Sequence, residues 1–129
     1  MRQIPAGARG SFSLLVQPEH LANRFKDAML PPVFAKPVMI MVMENAALNA
    51  IRAYLDPGES AVGTEVNVRH LAATAVGRLV TGEAEVTKVD GPRIEFRVRA
   101  TEGGREIGAG SHSRAVIDIA KFAQRLAGA

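Results

Sequence analysis

The sequence predicts an α+β fold in which an antiparallel sheet of about five strands wraps around one long central helix. The helix is predicted from Pro37 to Leu55, because this segment contains no glycine and no further proline. The strands are predicted from segments that alternate apolar and polar residues. Glycine and proline separate these segments and mark the turns.

The first elements are short. Ser11 to Val16 is predicted to be a strand that ends at Gln17 and Pro18. Glu19 to Met29 is predicted to be a short helix, which the following Pro31 and Pro32 cannot continue because proline lacks the backbone N–H.

The central helix is apolar all round in its first half, which spans 38–43. Such a pattern is typical of a helix that is covered on every side, so we expect it at the buried centre of the domain. Asp56-Pro57-Gly58 ends it.

Four further strands follow. In Ala61 to His70, one face is predicted to meet the helix; it carries Val62, Thr64, Val66, Val68 and His70. Gly77 to Lys88 and Arg93 to Ala100 alternate in the same way, with inward residues Val80, Ala84, Val86, Ile94, Phe96 and Val98. Gly103-Gly104 is predicted to form a tight turn into a last long strand, Arg105 to Ile119, and Ala120 to Ala127 is predicted to be a short C-terminal helix. Short connections favour a meander, and dimerisation would cover an exposed sheet edge.

Composition limits the class of protein. A length of 129 residues fits one domain, 1–129, and the absence of cysteine excludes disulfides, thiolate metal sites and cysteine nucleophiles. No signal-peptide core is present, and the longest apolar run is far shorter than the roughly 20 residues of a membrane span, so we expect a soluble, cytoplasmic protein. The three histidines lack metal-ligand spacing, so neither a metal nor another cofactor is expected.

The net charge of +3 and the pI near 9.8 suggest an anionic partner. Acidic and basic residues interleave, and the chain has five Phe, one Tyr and no Trp, which disfavours a nucleic-acid groove. A phosphorylated small molecule needs only a few cations and fits the charge better.

Glu44 and His70 are the first candidates for chemistry. Glu44 is the only acid of the predicted helix and follows six apolar residues, so burial would make its carboxylate a useful base or nucleophile. Alternatively, it faces solvent or is bonded structurally. His70 ends a strand on the face predicted to meet the helix and would point toward Glu44, unless it is a core histidine. His112 and Arg114 share the opposite face of their strand from Ile107.

Two common catalytic motifs are absent. No Gly-x-Ser-x-Gly occurs, so a nucleophile-elbow hydrolase is unsupported, and no glycine-rich phosphate loop is present. A buried glutamate beside a histidine would supply a serine-free nucleophile or an activated water.

Three segments resemble the fluoroacetyl-CoA thioesterase-like branch of the hotdog superfamily: 33–44, 63–74 and 107–117. The most specific is His70-Leu-Ala-Ala-Thr74. The resemblance implies a helix wrapped by an antiparallel sheet, a homodimer with active sites at the subunit interface, and hydrolysis of an acyl-CoA without a metal.

The resemblance also implies roles for particular residues. Glu44 and His70 match the catalytic glutamate and histidine, Gly63 matches a glycine whose amide contacts the acyl group, and Arg114 matches an arginine that lines the site. Lys36 stands where the family has a threonine, eight residues before Glu44. We count Lys36 with the catalytic set, since its ammonium would favour the ionised glutamate or bind a substrate carboxylate or CoA phosphate. A solvent-facing lysine is the alternative.

The expected activity is therefore hydrolysis of a short-chain acyl-CoA, with Glu44 as nucleophile or general base and His70 as general acid or base. Two alternatives remain open at this point. One is a non-catalytic hotdog module that binds an acyl-CoA, which Lys36 in place of the hydroxyl favours. The other is hydration of an enoyl-CoA.

Overall fold

The computed structural model describes residues 1–129, and one curved antiparallel sheet wraps a long helix, which confirms the predicted α+β hotdog architecture. The elements are β1 (Arg9–Leu15), α1 (Ala22–Phe25), α2 (Lys36–Ile51), β2 (Glu59–His70), β3 (Leu79–Asp90), β4 (Arg93–Glu102), β5 (Arg105–Asp118) and α3 (Ile119–Ala127).

The strand order is β1-β3-β4-β5-β2, and every neighbouring pair is antiparallel. Only β3–β4 and β4–β5 are tight hairpins, so the predicted meander is correct for these three strands alone. β2 pairs with β5 and not with its successor β3, and the connection 71–78 crosses between them. β1 and β2 consequently form the two edges of the sheet.

The predicted helix from Glu19 to Met29 is wrong beyond a few residues. A 3-10 turn spans Pro18–His20, and α1 is a single turn. His20 has a local role, because its Nδ1 accepts the backbone N–H of Gln17 at 2.9 Å.

None of the helices combines the length and the hydropathy that a membrane-spanning helix requires.

Helix α2 begins one residue before Pro37, and a 3-10 turn extends it to Tyr54. Its buried side, which packs on the sheet, comprises Val38, Met39, Val42, Met43, Ala46, Ala47, Ala50 and Ile51. The expectation that the helix is covered on every side is wrong. Met41 is 40% exposed, and Glu44, Asn45 and Leu48 are only partly buried. We call these four residues the open side of α2.

The inward residues predicted for β3 and β4 are confirmed: Val80, Ala84, Val86, Ile94, Phe96 and Val98 are all buried. They join α2 in a core of 23 buried apolar residues.

One extra residue in β2 and one in β5 change which side chains of these strands face the helix. In β2, Thr64 is an extra residue between Gly63, which pairs with Arg114, and Glu65, which pairs with Ser113. Such a bulge shifts the alternation by one residue. Gly63 therefore shares the helix side with Val66, Val68 and His70, so the predicted face is correct from Val66 onward and wrong for Val62 and Thr64.

In β5, Ile107 is the extra residue, because Gly108 pairs with Ala100 and Glu106 pairs with Thr101. Ile107 is buried, and from Gly108 to Arg114 the even-numbered residues face the helix. His112 and Arg114 thus lie on the inner side of the sheet.

Glycine is required where α2 lies against β1 and β3. A Cβ at Gly10 would overlap the backbone of Ala46 and Ala50, and one at Gly82 would lie 2.8 Å from the carbonyl oxygen of Val42. A helix backbone cannot move aside as a flexible side chain can.

We therefore expect Gly10→Ala and Gly82→Ala each to lower the free energy of unfolding by about 1–3 kcal/mol, the usual cost of overpacking. Gly128→Ala is the matched control, because its Cβ would lie 3.6 Å from the nearest atom, so its change should stay within about 0.5 kcal/mol. Urea unfolding of the four proteins measures these differences. Equal stability of Gly10→Ala and Gly128→Ala would contradict the packing described here.

Candidate active site

Glu44 lies in the middle of α2, on its open side, where β2 crosses the helix. A Cβ at Gly63 would lie only 2.7 Å from Oε2 of Glu44. The carboxylate accepts no hydrogen bond from any side chain of the chain, and it is partly exposed. Gly63 therefore leaves the space that the carboxylate occupies, and the carboxylate is free to contact a further molecule.

Arg114 connects the segments around Glu44 through hydrogen bonds. One guanidinium nitrogen, Nη2, donates to the carbonyl oxygen of Ala61 at 2.6 Å. The other, Nη1, donates to Nε2 of His112 at 3.1 Å and lies 3.5 Å from the carbonyl oxygen of Glu44. Arg114 is 8% exposed, so its guanidinium is a buried group and not a solvated surface charge. Burial lowers the pKa of Arg114, and the charge of Glu44 opposes this effect.

His112 was not assigned a role from the sequence, yet it completes the network. Its Nδ1 lies 2.8 Å from the carbonyl oxygen of Glu65. Because an arginine can only donate and a carbonyl can only accept, Nδ1 carries the proton and Nε2 is the acceptor. Burial, and secondarily Arg114, lower the pKa of His112, although the bond to Glu65 acts in the opposite direction. His112 is thus a neutral, fixed acceptor that orients Arg114.

A signal for His112 was present in the sequence. His112 and Arg114 are two residues apart on one strand and therefore share a face. The bulge at Ile107 decides that this face is the inner one, and bulges leave little trace in an alternation pattern. The ring of His112 also stacks on Phe96, with the centroids 5.8 Å apart.

His70 lies at the end of β2, near the start of α2. Its ring meets the edge of Phe34, with centroids 6.5 Å apart and an interplanar angle of 87°. Its Nε2 is buried and has no hydrogen-bond partner within the chain. Burial, followed by the positive charge of Lys36, lowers the pKa of His70.

Lys36 is the first residue of α2, two residues after Phe34. Its side chain is exposed, and it forms no ion pair within the chain. The segment after His70 positions this end of the helix, because the carbonyl oxygen of Thr74 accepts the N–H of Phe34 at 2.9 Å. Thr74 is 1% exposed, which gives the His-x-Ala-Ala-Thr motif a packing role as well.

The predicted site residues, together with His112 and Phe34, consequently form two groups. The acid group comprises Glu44, Gly63, His112 and Arg114, and the imidazole group comprises Phe34, Lys36 and His70. Along α2, eight residues separate Lys36 from Glu44 by about 12 Å. Along β2, the distance from Gly63 to His70 is roughly 20 Å. One chain therefore does not bring the Glu44 carboxylate and the His70 imidazole into contact.

Two open depressions of about 380 Å³ and 400 Å³ lie elsewhere, and neither is lined by Glu44 or His70. The first lies beside Arg9 and Arg97, and the second beside Leu48 and Pro57.

The neutral state of His112 gives a pH prediction. Because its pKa in the folded protein lies below the ordinary 6.5, the unfolded chain binds a proton first, and the free energy of unfolding falls as the pH decreases from 6.5. His112→Gln keeps one donor and one acceptor without a titrating group. We expect a smaller slope of unfolding free energy against pH, between pH 7 and 5, in this variant than in the parent, measured by urea unfolding. An unchanged slope would show that His112 is protonated as readily in the folded state as in the unfolded one.

Comparison with known proteins agrees with this fold. Residues 16–120 match the fluoroacetyl-CoA-specific thioesterase family. The chain is 47% identical over 95 residues to the fluoroacetyl-CoA thioesterase of Streptantibioticus cattleyicolor, covering 74% of this chain and 68% of that protein. A structure of a threonine-to-serine variant of a fluoroacetyl-CoA thioesterase in complex with acetyl-CoA superposes with a TM-score of 0.91 at 38% identity, over 96% of this chain and 97% of that one. A thioesterase superfamily member from Thermus thermophilus gives a TM-score of 0.90 at 34% identity, over 98% and 93% of the two chains. The chain therefore belongs to the fluoroacetyl-CoA-specific thioesterase family of hotdog-fold enzymes, and its class of activity is thioester hydrolysis.

Proposed function

We propose that the protein is a homodimeric acyl-CoA thioesterase, in which each active site combines the acid group of one subunit with the imidazole group of the other. One observation carries this proposal: a single chain holds Glu44 and His70 apart, while the strand that carries Gly63 and His70, β2, is an unpaired edge. An edge strand presents free N–H and C=O groups to a second strand.

The residues of β2 favour one register for such pairing. If β2 pairs antiparallel with its own copy about a two-fold axis at Asn67, the bulge residue Thr64 is passed over. Val68 then lies opposite the partner's Val66, and Arg69 opposite the partner's Glu65. His70 lies opposite the partner's Gly63. Each pair shares a face, as directly opposed residues of antiparallel strands must.

Charge supports the same register. Glu65 and Arg69 are exposed, and neither forms an ion pair within the chain. In the proposed dimer, Glu65 of each subunit lies opposite Arg69 of the other. These two symmetric pairs of opposite charge stabilise the antiparallel strands. The second subunit also approaches the open side of α2, where Met41 is 40% exposed.

In this arrangement, the positions of Glu44, Gly63 and the partner's His70 support the following reaction. Glu44, held beside Gly63, either deprotonates a water that attacks the thioester carbon or attacks that carbon itself; in the second route, water then hydrolyses the mixed anhydride and regenerates the carboxylate. Backbone N–H groups near Gly63 polarise the carbonyl oxygen. The partner's His70 is neutral near pH 7 because its pKa is lowered, so it takes the proton that the water loses, directly or from the Glu44 carboxyl, and passes it to the leaving thiolate. The carbon–sulfur bond breaks, and the products are a carboxylic acid and free CoA thiol.

The register predicts a charge-reversal experiment. Glu65→Arg places like charges opposite the partner's Arg69, so the dimer should dissociate at least about fivefold more readily, as expected from a pair worth roughly 1 kcal/mol. The double variant Glu65→Arg/Arg69→Glu should restore the parent's dissociation constant, measured by sedimentation equilibrium. Failure of the double variant to recover would overturn this register.

The two catalytic residues should each be indispensable. We expect Glu44→Gln and His70→Ala to lower kcat at least about 100-fold, the lower range for loss of a general acid or base, in an assay of thiol release from short acyl-CoAs. If both variants retain the parent's rate, the assignment is wrong.

A mixing experiment tests the shared site. When Glu44→Gln and His70→Ala chains are unfolded together and refolded in equal amounts, about half of the dimers are mixed, and each mixed dimer has one intact site of two. We expect about one quarter of the parent's activity to return. A site contained within one chain predicts no recovery, and the separately refolded variants serve as controls.

A further inference from the structure

We propose that Lys36 makes this enzyme select acyl-CoA substrates whose acyl group ends in a carboxylate. The inference rests on the proposed thioesterase function and names the substrate class of the same site. Lys36 would act as a specificity-determining residue that binds the far end of the acyl group.

The position of Lys36 supports this role. It lies two residues after Phe34, whose ring contacts the ring of His70, so this contact brings the start of α2 close to the imidazole. Its charge is also close enough to act on that imidazole. The end of a short acyl group bound at His70 therefore comes within reach of the Lys36 ammonium.

Of the two cations of the site, Arg114 and Lys36, Lys36 is the one whose charged group is free to bind a ligand. Both Nη atoms of Arg114 are hydrogen-bonded within the chain, and the residue is buried. Lys36, in contrast, is exposed and has no acidic partner within 4 Å. An anionic group of the substrate is the chemistry that satisfies an unpaired ammonium.

Two parts of the substrate carry such an anionic group: the acyl chain, if it ends in a carboxylate, and the phosphates of CoA. The contact of Phe34 with His70 places Lys36 near the reacting end of the substrate. The phosphates are separated from the thioester by the whole pantetheine arm. The carboxylate is therefore the ligand that the position of Lys36 favours.

The surroundings of Lys36 have the same meaning. Lys36 adds one positive charge near an imidazole whose buried Nε2 has no partner. A neutral acyl group leaves that charge unbalanced, and a carboxylated acyl group neutralises it.

The test compares acyl groups of equal length with and without a terminal carboxylate: malonyl- with propionyl-CoA, succinyl- with butyryl-CoA, and glutaryl- with valeryl-CoA. We expect the parent to hydrolyse at least one carboxylated member with a kcat/KM about 10-fold above that of its neutral counterpart, the effect of one charge-assisted contact. Lys36→Met should remove this preference, mainly through a higher KM for the carboxylated substrate, so that its kcat/KM falls about 10-fold further than that of the neutral counterpart.

Two matched variants complete the test. Lys36→Arg keeps the charge and should retain most of the preference. Lys121→Met removes another exposed lysine that has no ion pair, at the surface of α3, and should change neither substrate class. Added salt should raise the KM of the carboxylated substrate more than that of the neutral one.

Pantetheine thioesters, which lack the CoA phosphates, separate the two anionic sources. The same preference for succinyl- over butyryl-pantetheine, lost in Lys36→Met, supports the proposal. A Lys36→Met defect that affects all CoA esters equally and no pantetheine ester assigns Lys36 to a phosphate and overturns it. An equal defect on all esters of both kinds, or a parent that prefers neutral acyl groups, overturns it as well. If the parent hydrolyses none of these thioesters, the proposed function itself fails, and that result is distinct from a lost preference.

Discussion

The buried guanidinium of Arg114 is the constraint on which the rest of this site depends. A charge removed from water is costly unless hydrogen bonds replace its hydration. Arg114 obtains them from the carbonyl oxygen of Ala61 in β2 and from His112 in β5, and it approaches the carbonyl oxygen of Glu44 in α2. The same side chain therefore fixes the crossing of one helix and two strands, and the position of the Glu44 carboxylate follows from this crossing.

Bulges determine which side chains reach that crossing. Gly63 and His70 are seven positions apart, so regular alternation without the bulge at Thr64 would put them on opposite faces of β2. With it, both face the helix side, although they remain roughly 20 Å apart along one strand. The edge strand thus presents Gly63 and His70 on the same face, and the proposed antiparallel pairing with a second copy would bring the two groups together.

The sequence predicted the α+β architecture, the central helix and the inner faces of β3 and β4, because these depend on local patterns: helix length without glycine, and strict alternation around Phe96. It did not predict the single-turn α1, where prolines and contacts with the core override a weak helical pattern. It also placed Thr64 and Val62 inward, because a bulge adds a residue without changing the composition of the strand. The inward orientation of His112 depends on a second bulge, at Ile107, which the sequence pattern did not reveal either. The open side of α2 was missed because the apolar pattern at Met41 does not show whether the chain itself or another molecule covers it.

The two cations of the site differ in what they are free to do. Arg114 has a planar, permanently charged group whose donors suit fixed carbonyl partners, and both of its Nη atoms are already hydrogen-bonded. Lys36 has a flexible stem and a compact charge, and it has no partner. A residue that stabilises the fold must satisfy its charge within the chain, whereas a residue that selects a ligand must keep its charge available until the ligand binds. By this criterion Arg114 belongs to the framework that positions Glu44, and the lysine at the start of α2 is the cation whose charge stays available to a ligand.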